Sequence, residues 1–279
     1  MFKSKALILM LLSLVLVLSA CGQKPAADSA NSNGAQPEAA KATKLEQIKK
    51  AGKIVVGTSA DYPPYEFHKE VNGKDTIVGF DIEIAKAVAK DLGVTLEIKD
   101  LKYEGLLAAL EAGNIDFIIS GMTPTPERQQ SVDFTKIYYT AVQTTVVRAE
   151  DKDKFKSVDD LKGKRVGAQK GATQEQIVTK QMPGSEMKSL GKISDLMLDL
   201  KNKKTDALVV ELPVATAYLS KNPDLVVSDI KLSTEDSGSA IAVKKGSSDL
   251  VDAMNTSLDK LMNDKTVDKF VMEANDLVE

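Results

Sequence analysis

Tryptophan is absent from the 279 residues, and histidine and cysteine each occur once, as His68 and Cys21. A single histidine excludes a multi-histidine metal site. A single cysteine excludes both an intramolecular disulfide and a cysteine-rich zinc site. There is no basic excess: 37 Lys and Arg stand against 40 Asp and Glu, for a net charge of −3. Nucleic-acid binding is therefore set aside. No Gly-x-Ser-x-Gly elbow and no metal-ligand spacing occur, so neither a serine nucleophile of that type nor a cofactor is expected. What is present is 43% hydrophobic residues, enough to build one large domain or two modest ones.

The N-terminus reads as a targeting segment. Lys3 and Lys5 precede an apolar run from Ala6 to Leu18 that is broken only by Ser13. Such a run suits a signal-peptide core and is short for a bilayer span. It ends in Leu18-Ser19-Ala20-Cys21, which resembles a bacterial lipobox. That resemblance implies cleavage before Cys21, a diacylglycerol on its sulfur, and anchoring at the extracellular face of the cell membrane. The alternative is an ordinary signal peptide followed by a free or buried cysteine. Residues 21–43 are rich in Ala, Ser, Asn, Gly, Gln and Pro and have no apolar periodicity. They read as a flexible tether.

From residue 44 onward, strand and helix patterns alternate. Ile54-Val55-Val56, Thr95 to Ile98, Phe117-Ile118-Ile119 and the long stretch Tyr139 to Val147 are β-prone. Ile82, Ala85, Val88, Ala89 and Leu92 share a helical face. A second series follows: Arg165 to Ala168, Ala207 to Val210, Leu225 to Val227 and Ala240 to Val243 as strands, with helices predicted over Thr173–Gln181, Ile193–Leu200 and Pro213–Leu219. Leu250, Met254, Leu258 and Leu261 form a closing helical stripe. This alternation predicts an α/β fold with mainly parallel sheets in two lobes. Ligands of such sheets bind beyond the carboxyl ends of strands, so the space between the lobes is the expected site.

Three loops after predicted strands carry polar groups. In Ser120-Gly121-Met122-Thr123-Pro124-Thr125-Pro126-Glu127-Arg128, Thr125 and Pro126 read as a helix N-cap and first helical residue. Only three of the 37 basic residues are arginine. Arg128 therefore reads either as a planar fork for a carboxylate or as a surface residue on a capped helix. In Gln169-Lys170-Gly171-Ala172-Thr173, Thr173 and Gln176 have capping-box spacing, and Thr173 could also touch a carboxylate. Glu211, at a strand's carboxyl end, could meet a cation or simply favour a helix N-terminus. Asp61-Tyr62-Pro63-Pro64-Tyr65-Glu66-Phe67 could wall a pocket or be a packed turn.

Together with Gly57-Thr58 and Gly79-Phe80-Asp81-Ile82, these segments resemble the type II periplasmic solute-binding proteins of polar amino-acid ABC importers, over nearly all of 44–279. The resemblance implies a periplasmic-binding-protein type II fold, with lobe one at 44–144 plus 239–279 and lobe two at 145–238. The crossings would lie near Val142 to Arg148 and Gly238 to Val243. It implies a free amino acid as ligand, a membrane permease as partner, a monomer, and closure by hinge motion. Carried over by position, Arg128, Thr123 and Thr173 would hold the α-carboxylate. Ser120, Gly121 and Glu211 would meet the α-ammonium, and Tyr62 and Phe80 would sandwich the side chain. Met122 and Gln169 complete the expected contacts. Many relatives have Asp where Glu211 stands. Asp61, Glu66 and Asp116 could meet a cationic tip, so arginine or lysine is the first expectation, and glutamine or another polar amino acid the second.

The competing readings are a secreted cyclohexadienyl-dehydratase-like enzyme on the same fold and the sensing module of a receptor. The receptor would need a transmembrane helix after Glu279. For the enzyme, His68 has no evident Ser or Cys partner and reads as a surface turn residue.

Overall fold

The computed structural model describes residues 42–233 and 238–278. The expected signal peptide, Cys21 and residues 21–41 of the tether lie outside that range. Thr43 caps the first helix, its hydroxyl accepting from the Glu46 N–H (3.3 Å) while the Glu46 carboxylate accepts from the Thr43 N–H (2.9 Å). This is a reciprocal capping box.

Helix α1 (Lys44–Ala51) leads into strands β1 (Lys53–Thr58), β2 (Asp61–Tyr62), β3 (Glu66–Val71) and β4 (Lys74–Val78). Helix α2 (Phe80–Leu92), β5 (Thr95–Asp100), α3 (Leu106–Glu111), β6 (Phe117–Ile118), the short α4 (Arg128–Ser131) and β7 (Val132–Thr140) follow. The chain continues through β8 (Gln143–Arg148), β9 (Arg165–Gln169), α5 (Thr173–Gln181), β10 (Glu186–Leu190), α6 (Ile193–Lys201), β11 (Ala207–Glu211), α7 (Leu212–Leu219) and β12 (Leu225–Val227). It closes with β13 (Gly238–Lys244), α8 (Ser248–Asn263) and α9 (Thr266–Val278).

Two five-stranded sheets define two lobes, ordered β5-β1-β6-β13-β7 and β10-β9-β11-β8-β12. Each keeps a parallel trio, β5-β1-β6 and β10-β9-β11, extended by two antiparallel strands. The apolar runs in the sequence exist because both faces of each sheet are covered. In lobe one, Ile54, Val56, Phe117, Ile241 and Val243 face α2 and α8, while Val55, Ile118 and Ala242 face α3. In lobe two, Val166, Ala168, Ala207 and Val209 pack toward α5, and Leu208 and Val210 pack toward α6 and α7. A separate antiparallel sheet, β2-β3-β4, flanks lobe one.

The β-prone stretch from Tyr139 to Val147 is two strands. β7 ends in the first sheet at Thr140, and β8 starts in the second at Gln143. Only Ala141 and Val142 separate them. Gln143 and Thr144, assigned to lobe one on sequence, therefore pair in lobe two with Glu211 and Val210, and Gly238 pairs with Thr140 in lobe one. Three local expectations also change. Helix α4 starts at Arg128, so Pro126 lies in a turn before it, although Thr125 still makes the bonds of a cap, its hydroxyl accepting from the Arg128 N–H (3.3 Å) and its carbonyl from the Gln129 N–H (3.0 Å). Thr173 is the first residue of α5 and Ala172 its cap, so no capping box forms with Gln176. His68 lies within β3, where its ring faces Asp75 and Asp100.

Candidate functional site

The carboxyl ends of the central strands meet between the lobes. In lobe one, the chain leaving β6 places Ser120 so that its hydroxyl accepts from the Ser59 N–H (3.1 Å) and donates to Glu66 Oε1 (2.6 Å). The next residue, Gly121, has φ +55°, a left-handed conformation in which its N–H points to Asp81 Oδ2 at 2.9 Å. The Tyr138 hydroxyl donates to that same oxygen, also at 2.9 Å. Gly79 sets the start of α2: its φ is +127°, and a Cβ there would stand 2.1 Å from the Tyr65 carbonyl oxygen. Only glycine lets the Tyr65 turn lie against this helix and bring Asp81 under the cleft.

Four rings line the same region. Tyr62 lies 5.3 Å from Tyr65, Tyr65 4.4 Å from Phe80, and Phe80 5.0 Å from Tyr139, in tilted contacts favourable for aromatic pairs. Tyr65 thus stands between the two rings that sequence reasoning paired as a sandwich, and Phe80 is fully buried.

Lobe two supplies Glu211 at the end of β11, on the strand and at the N-cap position of α7. Its Oε1 accepts from Gln143 Nε2 (3.3 Å), whose own side-chain oxygen accepts from Gln174 Nε2 (3.0 Å). Arg128 crosses from lobe one. One of its terminal nitrogens donates to the Thr123 carbonyl (2.8 Å) and the other to the Gly171 carbonyl of lobe two (2.9 Å), and the guanidinium lies 5.8 Å from the Tyr103 ring centroid. Thr123, Gln143 and Thr173 share the wall of a groove of about 630 Å³ that opens beside these groups.

The electrostatics of this space are unusual. Glu66, Asp81 and Glu211 are buried, and each has one carboxylate oxygen, respectively Oε2, Oδ1 and Oε2, without a hydrogen-bond partner among the described residues. Burial pushes the Glu211 carboxyl up to about 7, with the Asp81 charge adding to the rise; the nearby Tyr65 and Tyr62 hydroxyls and Gln143 oppose it. Burial also raises Asp81, against the Gly121 and Tyr138 donors, and raises Glu66 further because Asp81 is beside it. The two carboxyls therefore titrate as a pair, with the charge favoured on Asp81, which has two donors to the one that Glu66 has. Among the described residues, no cluster of three or more His, Cys, Asp or Glu is arranged to hold a metal ion.

Of the acids expected near a cationic ligand tip, Glu66 is in the cleft and Asp116 is not. Asp116 precedes β6 at the opposite end of the sheet, where it pairs with Lys44 and accepts from the Val55 N–H (2.8 Å). Asp61 is bound by lobe two, its carboxylate accepting from Ser194. Met122 packs with Tyr103 and Ala172 in the core, and its carbonyl accepts from Ala240 of β13 (2.9 Å). Gln169 is buried and donates to the Gly191 carbonyl (3.4 Å). Sequence reasoning missed Tyr103, Tyr138, Gln143 and Gln174 altogether. It cited Asp81 only as part of a motif, although an acid in the first turn of an otherwise apolar helix face was a signal.

An α/β pair of lobes with charged groups of both signs buried between them defines a ligand-capturing cleft. Residues 54–273 match the bacterial extracellular solute-binding proteins, family 3, and the chain belongs to that family. It is accordingly a binding protein rather than an enzyme. It is 40% identical over 222 residues to the arginine-binding extracellular protein ArtP of Bacillus subtilis, covering 78% of this chain and 84% of ArtP. It is 33% identical over 273 residues to the glutamine-binding protein GlnH of the same organism, covering 96% of each. The structure of the amino acid ABC transporter substrate-binding protein AbpA from Streptococcus pneumoniae, bound to L-arginine, superposes with a TM-score of 0.82 at 39% identity, covering 84% of this chain and 98% of AbpA.

Proposed function

We propose that this protein captures a cationic amino acid, arginine before lysine, at the outer face of the cell membrane and presents it to the permease of an ABC importer. The observation that carries this reading is the inventory of the cleft: one buried guanidinium against three buried carboxyl groups, each with an unmatched oxygen. Buried charges need counter-charges and hydrogen bonds. A zwitterion with a cationic side chain supplies one anion and two cations. Its α-carboxylate would meet Arg128, Thr123 and Thr173, and its α-ammonium Glu211 and the Ser120–Gly121 turn. Its side-chain cation would reach the Glu66–Asp81 pair, with Tyr62, Tyr65 and Phe80 covering the stem. ArtP and AbpA, the first by its name and the second by its bound ligand, support the same choice.

In this reading, residues 1–20 are a signal peptide, Cys21 carries the lipid, and residues 21–43 are the tether, whose last residue caps α1. The lobes close as a monomer by hinge motion about residues 141–142 and the start of β13. Glutamine is the second reading, favoured by the resemblance to GlnH; it would leave the Glu66–Asp81 pair protonated. Calorimetric titration of the purified protein with each of the twenty amino acids decides between them. Arginine is expected to bind most tightly, and a profile in which no basic amino acid binds overturns the assignment.

A further inference from the structure

Asp61, unlike the other cleft acids, is already satisfied from across the lobe boundary. It sits in β2 on lobe one, and its carboxylate accepts from the Ser194 N–H (3.1 Å) and the Ser194 hydroxyl (3.3 Å) in the first turn of α6 on lobe two. A second lobe-two helix grips the same residue: the Tyr218 hydroxyl of α7 donates to the Asp61 carbonyl at 2.8 Å. Within lobe one the carboxylate meets only the Ser59 hydroxyl, at 3.5 Å. Asp61 and Tyr218 also line a groove of about 520 Å³ that opens to solvent along this seam. Water can therefore replace these bonds when the lobes part.

From this geometry we infer that Asp61, Ser194 and Tyr218 form a latch that holds the two lobes together without touching the ligand, and so sets how tightly every ligand binds. The contacts exist only when lobe one and lobe two are apposed. An anion at the start of a helix is favoured by the helix dipole and by its free N–H groups. Hydrogen bonds to a charged group are the stronger kind. A ligand that requires the closed form binds with an apparent affinity proportional to the closed fraction. Weakening the latch therefore raises every dissociation constant by one common factor and leaves selectivity unchanged. The three residues are positioning residues: the side chains of Ser194 and Asp61 are turned to each other, and the Tyr218 hydroxyl to the Asp61 carbonyl.

The test compares the wild-type protein with Ser194→Ala, Tyr218→Phe and the double variant. L-arginine and L-glutamine are the titrants, and ligand-free small-angle scattering is measured in parallel. Loss of two of the three cross-lobe donors to Asp61 is expected to weaken both ligands by roughly tenfold in the double variant, with their ratio unchanged. The ligand-free radius of gyration should rise, and saturating ligand should restore the compact form. Tyr218→Phe alone removes one hydroxyl and no packing, so a partial effect is expected there even if Ser194→Ala folds poorly. Unchanged affinities with unchanged scattering overturn the latch. A change in the arginine-to-glutamine ratio overturns it too, by showing that these residues touch the ligand. Should neither amino acid bind, the ligand assignment fails by itself, and the scattering of the ligand-free variants alone decides the latch.

Discussion

Arg128 and Arg148 are the same side chain at the same burial, each 8% exposed, and they live in opposite electrostatic settings. Arg148 lies within lobe two. Its Nε donates to Asp151 (2.7 Å), and one terminal nitrogen donates to the carbonyls of Leu200 (2.8 Å) and Thr205 (2.7 Å). Its acid partner answers in kind: Lys154 and Arg148 hold Asp151 below the usual carboxylate range despite its burial. Arg128 lies between the lobes and donates to two carbonyls rather than to a carboxylate. The buried acids nearest the cleft, Glu66, Asp81 and Glu211, are all pushed upward. Where the fold supplies the counter-charge, a buried ion is structure. Where the fold withholds it, the ion is available to a ligand.

The largest expected effects break this contrast directly. Arg148→Met strips Asp151 of one of its cations and should cost about 3–5 kcal/mol of stability, read by urea denaturation, with ligand affinity kept by the fraction that folds. Arg128→Met should do the reverse. Arginine binding is expected to weaken by at least about 2–5 kcal/mol in calorimetry, while ligand-free stability holds or rises because an unpaired buried charge is removed.

The pH dependence sharpens the comparison. Glu211 has a raised folded-state value, so the stability it contributes to the ligand-free form is complete below its ordinary value near 4.5 and is lost as pH rises through about 7. Asp151 has the opposite sign. Its contribution is present above about 3.8 and is lost only as pH falls below that value. A ligand cation binds the ionised acids, so arginine affinity should increase from pH 5.5 to 7.5 by roughly 10–30-fold for one released proton. Titrations in buffers of different ionisation enthalpy should show proton release, and more of it for arginine than for glutamine if the Glu66–Asp81 pair receives the side chain. The smallest effect belongs to Tyr138→Phe, which removes one of the two donors to Asp81 Oδ2. It should move the pH midpoint of arginine binding upward by about one unit or less.

Much of the fold was legible because its strands are covered on both faces and read as short apolar runs. Ala207 to Val210 and Phe117 to Ile118 are found where those runs lie. The helix Thr173–Gln181 has its expected limits. The β2-β3-β4 sheet was not legible, because β3 and β4 are largely exposed and polar and show no alternation. Helix α9 was not predicted although Val267, Ala274 and Val278 bury one of its faces, since the expected closing stripe ends at Leu261. In the site, the loop carrying Ser120 to Arg128 stood out for its Gly, Pro and rare Arg. Gln143, Gln174 and Tyr138 did not, because an amide or phenol in a β-prone or helical run carries no local mark of what it will face.

The amino-acid order alone determined which segments are strands and helices, that two α/β series succeed one another, and that polar loops follow the strands. Those properties depend on local periodicity and on residues that restrict φ and ψ. Which acids become unpaired in the cleft and which are consumed as structure was decided only by tertiary packing. Asp61, Glu66 and Asp116 were equal candidates in the sequence, and the fold sends them to a cross-lobe contact, a buried carboxyl pair and a lysine at the far end of the sheet. Burial and proximity between segments far apart in the chain set the cost of each charge, and neither quantity exists until the lobes have formed and met.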